Sequence, residues 1–140
     1  IIKCYRTTPV PVLLLISIHC DWSKDRNRCG TVAFYNYLSP ESKQFAFSIQ
    51  EELNKIQKRP QKAAPGKYLI IRQRGVIGVL LEAGFLSNDE EASLLQNPAY
   101  QEKIALAVAA GILKKCQDYL PGFKKIHEPP CSKLRSISNL

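Results

Sequence analysis

The sequence contains no methionine, only two histidines and a single tryptophan in 140 residues. Because a primary translation product starts with methionine, a chain that begins with Ile1 is expected to be a processed product or an incomplete piece. Long apolar runs are also absent: the longest, Val10 to Ile18, is far shorter than the roughly 20 residues that span a bilayer. This run lacks the cleavage pattern of a signal peptide. We therefore expect no membrane span here, and any export signal is expected upstream of this chain.

Cysteine pairs with metal-binding spacing are absent as well. The five cysteines, an odd number, form no CxxC or CxxxC pair, which argues against a structural zinc knuckle. Cys20 and Cys29 flank a polar loop and could form a disulfide across it. Two free thiols are an equally good interpretation, and the sequence leaves both open.

The chain is basic, with a net charge of +8 and a pI of about 9.4. Positive charge is concentrated in residues 61–75 and in the tail from Pro121, whereas residues 76–100 are acidic. A basic surface suits any polyanion, including nucleic acid or an anionic cell-wall polymer, but a solvated basic face explains the same composition. Because aromatic and basic residues are not interleaved in a motif, we expect no nucleic-acid partner.

Hydrophobic patterns predict several strands. The aliphatic run from Val10 to Ile18 is typical of a strand buried on both faces, as in parallel sheets. Runs rich in β-branched and aromatic residues predict three further strands, at residues 31–38, 67–72 and 76–82. The proline-containing stretch 57–66 is predicted to be a linker.

Helices are predicted between these strands. Ser39 and Pro40 are typical of a helix start, and apolar residues at helical spacing continue to about Arg59. A second helix follows Ser87 and Asn88, which we interpret as its capping residues. A third runs from Pro98 to about Tyr119. Strands that alternate with helices predict an α/β fold.

Two polar side chains occupy equivalent places in this pattern. His19 follows LLLISI at the carboxyl end of one strand, and Glu82 follows VIGVLL at the carboxyl end of another. Ligands bind beyond the carboxyl ends of strands in open α/β sheets, so parallel neighbouring strands would place both side chains at one pocket. A histidine and a glutamate there suit a metal ligand and a general base. A hydrogen-bonded core histidine and a salt-bridged glutamate are the plainer interpretation, and the spacing alone does not decide.

An ordered series of motifs carries more information than this spacing. The chain contains, in this order, SIH, GTVAFY, IQEEL, VLLEAGFLSNDEEASLL and NPAYQEKIALAVAAGI. The series resembles the zinc-dependent N-acetylmuramoyl-L-alanine amidases, and most of all those of the spore cortex and of germination. The resemblance runs from about Leu14 to Tyr119, and EAGFLSN with the NPAYQ helix is its most specific part. It implies an α/β fold with a mixed, largely parallel sheet flanked by helices.

The resemblance also implies a chemistry. In this family two histidines and a glutamate hold Zn²⁺, and a zinc-bound water attacks the amide between the lactyl group of N-acetylmuramic acid and the L-alanine of the stem peptide. His19 matches the second histidine ligand, and Glu82 matches the glutamate that acts as general base. Zinc lowers the pKa of its water towards about 7, so a nearby carboxylate can take the proton. Arg72 matches a recurrent arginine that could bind stem-peptide carboxylates, although a surface arginine explains it as well.

The chain departs from the family pattern at the expected zinc site. The GHGG motif with the first histidine and the glutamate ligand after it do not occur, and residues 1–13 contain no His, Asp or Glu. We therefore expect this chain alone not to bind Zn²⁺, and the N-terminal third of the catalytic domain to be missing through truncation or a frameshift. Cys20 and Asp21 replace a small residue and an asparagine after SIH, and Ile77 replaces a proline.

Two functional hypotheses follow. In the first, residues 1–120 are a partial amidase catalytic domain and residues 121–140 a basic, loosely ordered tail. The protein would then act as a monomer on peptidoglycan in the cell envelope after export. In the second, the chain is a truncated or degenerate relative that binds cell-wall glycan or a partner without cleaving.

Overall fold

The structure is a computed structural model that describes residues 14–119. The start of the predicted strand at Val10 and the predicted tail 121–140 lie outside the described residues. In chain order the elements are β1 (Leu14–Asp21), β2 (Val32–Asn36), α1 (Pro40–Leu53), β3 (Ala64–Gly66), a 3-10 helix (Leu69–Arg72), β4 (Ile77–Phe85), α2 (Asp89–Leu95) and α3 (Pro98–Tyr119). No helix in this described range combines the length and the apolar character that crossing a bilayer requires.

The described strands form one mixed sheet in the order β1, β4, β2, β3. β1 runs parallel to β4 and β2 parallel to β3, whereas β2 and β4 are antiparallel. The predicted α/β fold with a mixed, largely parallel sheet flanked by helices is confirmed. Because β1 and β4 are parallel neighbours, their carboxyl ends meet at the same edge of the sheet, as the strand-end hypothesis requires.

One face of the sheet packs against α1 and α3. Side chains alternate between the faces along a strand, and Val79, Leu81 and Ala83 of β4 form the core with Ile49 of α1 and Val108 of α3. Complete burial of an aliphatic side chain contributes about 1.5–3 kcal/mol. This face therefore provides most of the apolar stabilisation and fixes β4 in place.

The two helices are in close contact at Gly111. The Ser48 hydroxyl donates to the Gly111 carbonyl oxygen at 2.8 Å. A Cβ at Gly111 would lie 2.5 Å from the Cα of Ile49, which is inside any normal contact distance. Glycine in a helix interior costs about 1 kcal/mol relative to alanine, and here the close packing of α1 on α3 requires it.

The opposite face of β4 carries Gly78, Leu80 and Glu82. The 3-10 helix covers the amino end of this face, since a Cβ at Gly78 would lie 2.5 Å from the Ile71 carbonyl oxygen. The 3-10 helix thus lies over the amino half of β4. Glu82 is near the carboxyl end of β4, and other residues form its surroundings.

The strand predicted at residues 67–72 is wrong. KYLIIR has the short apolar run of a strand, but Leu69–Arg72 form a 3-10 helix in which Ile71 is the buried residue. Short apolar runs do not distinguish a strand from a helical turn. Gly78 decides here, because its missing side chain lets the backbone at Ile71 lie directly on β4.

The predicted linker 57–66 contains a strand instead. Its last three residues, Ala64–Gly66, form β3 and pair with β2. Pro65 lies within this strand and cannot donate to a neighbour, but β3 is the last strand of the described sheet, where proline is tolerated. The proline and glycine that suggested a linker are therefore features of a short edge strand.

The start of α1 agrees with the prediction, and its end does not. Ser39 Oγ accepts a hydrogen bond from the Ser42 amide at 3.1 Å, with Pro40 in the first turn. The helix ends at Leu53 rather than near Arg59. The Asn54 side chain accepts from the Gln61 amide at 3.0 Å and donates to the Gln61 carbonyl at 2.9 Å, so the chain turns away before another helical turn can form.

Candidate active site

His19 and Glu82 lie side by side on β1 and β4. They are direct partners in the parallel register of the two strands, so their side chains project from the same face of the sheet. His19 is exposed, whereas Glu82 is only 8% exposed. The structure therefore brings together the two residues that the sequence placed at neighbouring strand ends.

Glu82 lies within β4 and not at its end. The predicted strand stopped at Glu82, but β4 continues to Phe85. Gly84 permits the continuation because it adopts a φ of 153°, a region that side-chain-bearing residues rarely occupy. Glu82 therefore has strand residues before and after it, and the predicted end of the strand at residue 82 is wrong.

The Glu82 carboxyl group lacks a partner for one of its oxygens. In the described part of the chain, Glu82 Oε2 is buried and accepts no hydrogen bond. Burial raises the pKa of this carboxyl group, nearby Asp21 raises it further, and His19 opposes the rise. A carboxyl group whose pKa is raised in this way is a stronger base than an exposed one, which suits proton transfer near neutral pH.

His19 has a local partner that sequence reasoning missed. Ser17 Oγ and His19 Nε2 are 2.7 Å apart. The two residues are separated by one position on β1 and so share a face of the strand, which was the available signal. This hydrogen bond orients the imidazole and engages Nε2, so the ring presents Nδ1 as its other nitrogen.

The described residues do not fit a complete zinc site. Within residues 14–119, no group of three or more His, Cys, Asp or Glu side chains is arranged to hold a metal ion. Catalytic zinc needs three protein ligands plus an open position. Of the family's three ligands the described residues supply one, His19, and Glu82 lies beside it in the place of the general base.

Asp21 and Tyr68 complete the electrostatic surroundings of Glu82. Partial burial raises the pKa of the Tyr68 hydroxyl, and the negative charges of Glu82 and Asp21 raise it further. The Tyr68 ring meets the ring of Phe34 edge-on, with 5.4 Å between centroids. Phe34 pairs with Leu80 across β2 and β4, so Tyr68 lies on the Glu82 face. No motif in the sequence pointed to Tyr68.

Arg72 lies elsewhere. Its guanidinium is 5.6 Å from the centroid of the Tyr37 ring, and it lines a depression that includes Ile77 at the amino end of β4. Glu82 is near the other end of that strand. The structure does not bring Arg72 to the His19 and Glu82 pair, and its role in substrate binding stays a prediction.

The loop after β1 is fastened to the turn after β4. The Ser87 hydroxyl accepts from the Ser23 amide at 3.0 Å, and the Asn88 side chain donates to the Arg26 carbonyl at 2.9 Å. Asn88 also caps α2, as predicted, by accepting from the Glu91 amide at 3.1 Å. Ser87 was predicted to cap this helix as well, but its hydroxyl joins the two loops instead. These contacts fix the segments that follow His19 and Glu82 relative to each other.

The cysteines near the site are free thiols. Cys20 and Cys29 form no disulfide in the structure, which agrees with the second of the two interpretations above. Burial raises the pKa of the Cys20 thiol, and the Glu82 charge adds to the rise. Cys20 is therefore predominantly a neutral thiol at neutral pH and a poor nucleophile.

A separate cleft of about 880 Å³ lies between α1 and α3. Its lining includes Lys43, Phe47 and Lys114, and Lys114 forms an ion pair with Glu51 at 2.7 Å. Neither His19 nor Glu82 lines it. We place the candidate active site at Glu82. A buried carboxylate beside an imidazole can transfer protons, whereas an exposed lysine that is paired with a glutamate is typical of an ordinary surface.

Comparison with solved structures shows that the fold is that of α/β amidase domains. The structure is similar to that of the CwlD amidase from Clostridioides difficile in complex with the GerS lipoprotein, with a TM-score of 0.77 and 29% identity, covering 83% of this chain and 59% of that chain. It is also similar to the catalytic domain of CwlV, an N-acetylmuramoyl-L-alanine amidase from Bacillus (Paenibacillus) polymyxa var. colistinus. There the TM-score is 0.66 and the identity 28%, covering 77% of this chain and 57% of that chain.

The sequence identifies the family within this class. The family model described as N-acetylmuramoyl-L-alanine amidase matches residues 10–114, and the chain belongs to this family, which confirms the predicted resemblance. The germination-specific N-acetylmuramoyl-L-alanine amidase of Bacillus subtilis (strain 168) is 36% identical over 103 residues. That match covers 72% of this chain and 44% of the relative, so the chain spans less than half of that relative's length.

Proposed function

We propose that this chain contributes the proton-accepting glutamate, Glu82, to the active site of a peptidoglycan amidase. The reaction is hydrolysis of the amide between N-acetylmuramic acid and the L-alanine of the stem peptide. The observation that carries the proposal is the Glu82 carboxylate, buried, lacking a partner for Oε2 and in register with His19. Membership of the amidase family supports the same bond specificity.

Glu82 would act as the proton acceptor. In amide hydrolysis a water molecule attacks the carbonyl carbon, its proton passes to a base, and the leaving nitrogen is then protonated. Glu82 can take that proton because its pKa is raised, and it can return the proton to the L-alanine amine as the carbon–nitrogen bond breaks. His19 would be one of the ligands that hold a metal ion, as its match to the family's second histidine implies. Zn²⁺ belongs to the proposal through the family, but the described residues do not complete its site, so proton transfer at Glu82 is the step assigned to this chain.

The place and partners of the protein follow from its relatives. Because the relatives are cell-wall amidases, we propose that the protein is exported and acts on peptidoglycan in the cell envelope as a monomer, during sporulation or germination. If Arg72 binds stem-peptide carboxylates, the peptide has to extend from Glu82 along the sheet to the amino end of β4. This places a geometric condition on the substrate, since the two side chains lie near opposite ends of that strand.

Hydrolysis by the purified 140-residue chain tests the proposal. Peptidoglycan sacculi and a soluble muramyl peptide are incubated with and without Zn²⁺, and the release of stem peptides that begin with L-alanine is followed by mass spectrometry. We expect Glu82→Gln to reduce the rate at least about 100-fold, the usual contribution of a general base. Glu102→Gln, which removes an exposed carboxylate on α3, is the matched control and should leave the rate unchanged.

A second candidate is a non-catalytic relative that binds cell-wall glycan or a partner. The lack of a three-ligand group within the described residues favours it. Co-sedimentation with sacculi, combined with the same mass spectrometry, separates the two proposals. Binding without released stem peptides, at any Zn²⁺ concentration, would select the second, whereas release that depends on Glu82 would exclude it.

A further inference from the structure

The Glu91 side chain joins the two segments that follow His19 and Glu82. Glu91 Oε1 accepts from the Gly30 amide at 2.7 Å, and Glu91 Oε2 accepts from the Phe85 amide at 2.8 Å. Gly30 lies at the end of the loop after β1, and Phe85 is the last residue of β4. One carboxylate therefore ties the carboxyl end of β4 to the segment that enters β2, whose first residue, Val32, pairs with Glu82.

This use of Glu91 differs from the usual role of an acid at its position. Glu91 is the third residue of α2, after the capping residue Asn88. An acid there commonly accepts from the amide of the capping residue, but the Asn88 amide donates to the Phe85 carbonyl oxygen at 3.1 Å. The Glu91 carboxylate instead reaches out of the helix to two amides that belong to other segments.

The backbone at Gly84 allows the carboxylate to come this close. A Cβ at Gly84 would lie 3.3 Å from Glu91 Oε2, tighter than an ordinary contact. The φ of 153° at the same residue turns the Phe85 amide toward Glu91. The positive φ of Gly84, two residues after Glu82, and the position of Glu91 thus depend on each other.

We propose that Glu91 is a positioning residue for Glu82. By holding the Phe85 amide and the Gly30 amide at the start of β2 together, the Glu91 carboxylate fixes the backbone around Glu82 and its partner Val32, and so keeps the Glu82 side chain in its place beside His19. The inference rests on the proposed function, since it concerns the reaction assigned to Glu82. Both partners of Glu91 are hydrogen-bond donors, so the side chain needs two acceptor oxygens, and a glutamine would direct its NH₂ group at one donor.

The hydrogen bonds are tested first, by NMR on the 140-residue chain. We expect scalar coupling across the hydrogen bonds from the Gly30 and Phe85 amides to the Glu91 carboxyl carbon, and slow exchange of both amide protons. Glu91→Gln should expose one of the two amides to exchange at least about 10-fold faster. Glu90→Gln is the matched control, because the neighbouring Glu90 is exposed and pairs with Lys58 instead. Couplings that are absent in the unsubstituted chain would overturn the proposal without any variant.

Kinetics then separate positioning from a purely structural role. In Glu91→Gln we expect kcat to fall about 10-fold or more with KM within about twofold, the range typical of residues that orient a catalytic group. Glu91→Asp keeps two acceptor oxygens and should recover part of kcat. An unchanged kcat in a Glu91→Gln variant that has lost the hydrogen bond would refute positioning.

Two further outcomes remain decisive. If the unsubstituted chain hydrolyses nothing, the proposed function fails, and the carbon-13 signal of the Glu82 carboxyl group replaces kcat. The chemical shift of this carbon should change in Glu91→Gln and not in Glu90→Gln. The same chemical shift in Glu91→Gln as in the unsubstituted chain would refute positioning. If Glu91→Gln does not fold, Glu91→Asp takes its place in both measurements, because its carboxylate keeps both acceptor oxygens but is set back by one methylene and should hold the two amides less closely than Glu91 does. Signals and kcat unchanged in that variant would refute the proposal.

Discussion

Replacement of Glu82 by glutamine should make the protein more stable at neutral and alkaline pH. The substitution keeps the shape of the side chain and removes a charge that is 8% exposed and lacks a partner for one oxygen. A buried acceptor without a partner costs about 1–3 kcal/mol, and more when it is charged. A buried charge held in this state lowers the stability of the fold, so its removal should raise the free energy of unfolding.

The pH dependence follows from the direction of the pKa shift. Burial raises the pKa of Glu82 in the folded chain above the value in the unfolded chain. The stabilisation associated with the protonated form is therefore complete below about pH 4 and is lost as the pH rises through the folded pKa. The advantage of Glu82→Gln over the unsubstituted chain should grow over the same interval, to about 1–3 kcal/mol near pH 8.

Urea unfolding at a series of pH values between about 4 and 8, followed by circular dichroism with a chelator present, measures this difference. Glu102→Gln, on the exposed face of α3, is the matched control and should change the free energy of unfolding by less than about 0.5 kcal/mol at every pH. A gain at Glu82 that is independent of pH, or that is largest in acid, would refute the assignment of the destabilisation to a buried charge.

Three other substitutions test the packing that supports the site, each by the free energy of unfolding in urea. Gly111→Ala should destabilise by about 1–2 kcal/mol, because overlap with the Ile49 backbone costs more than the helix propensity that alanine gains. In contrast, Ala110→Gly at the exposed neighbouring position should cost about 1 kcal/mol from propensity alone, so a gain in Gly111→Ala would contradict the close contact. Ile49→Ala removes a fully buried side chain and should cost about 2–5 kcal/mol. Ser39→Ala removes the acceptor for the Ser42 amide and should lower the free energy of unfolding by about 1 kcal/mol. The slope of this free energy against urea concentration should not change.

The elements with strong periodicity could be predicted from the sequence. The apolar runs ending at His19 and Glu82 are strands, and the spacing of apolar residues after Pro98 is that of α3. These patterns follow from burial on one or both faces, which is a local property of the chain. The parallel pairing that brings His19 to Glu82 was expected, since aliphatic runs are typical of parallel sheets. The predicted burial of the first strand on both faces is wrong for its described residues, because β1 lies at the edge of the described sheet and Ile18 is 56% exposed.

The features that were predicted wrongly depend on contacts with residues that are distant in the sequence. Leu69–Arg72 form a 3-10 helix because Gly78 leaves room for its backbone, and nothing within KYLIIR indicates that. β4 continues past Glu82 because Gly84 can adopt a φ of 153° and Glu91 accepts from the Phe85 amide. The partner of Glu91 on the other side, Gly30, is 61 residues away in the sequence. Contacts of this kind become visible only when the chain is folded.

The parallel pairing of β1 with β4 also determines when the site can form during folding. Between His19 and Glu82 lie about 60 residues, including β2, α1 and β3, and closing a loop of that length costs conformational entropy before any contact repays it. Parallel pairings over such distances make folding slow. The strand that carries His19 therefore has no partner until β4 has formed, and the side chains of His19 and Glu82 meet only when the longest-range pairing of the described sheet closes. A signal from the His19 and Glu82 pair would report the completion of folding rather than any of its early steps.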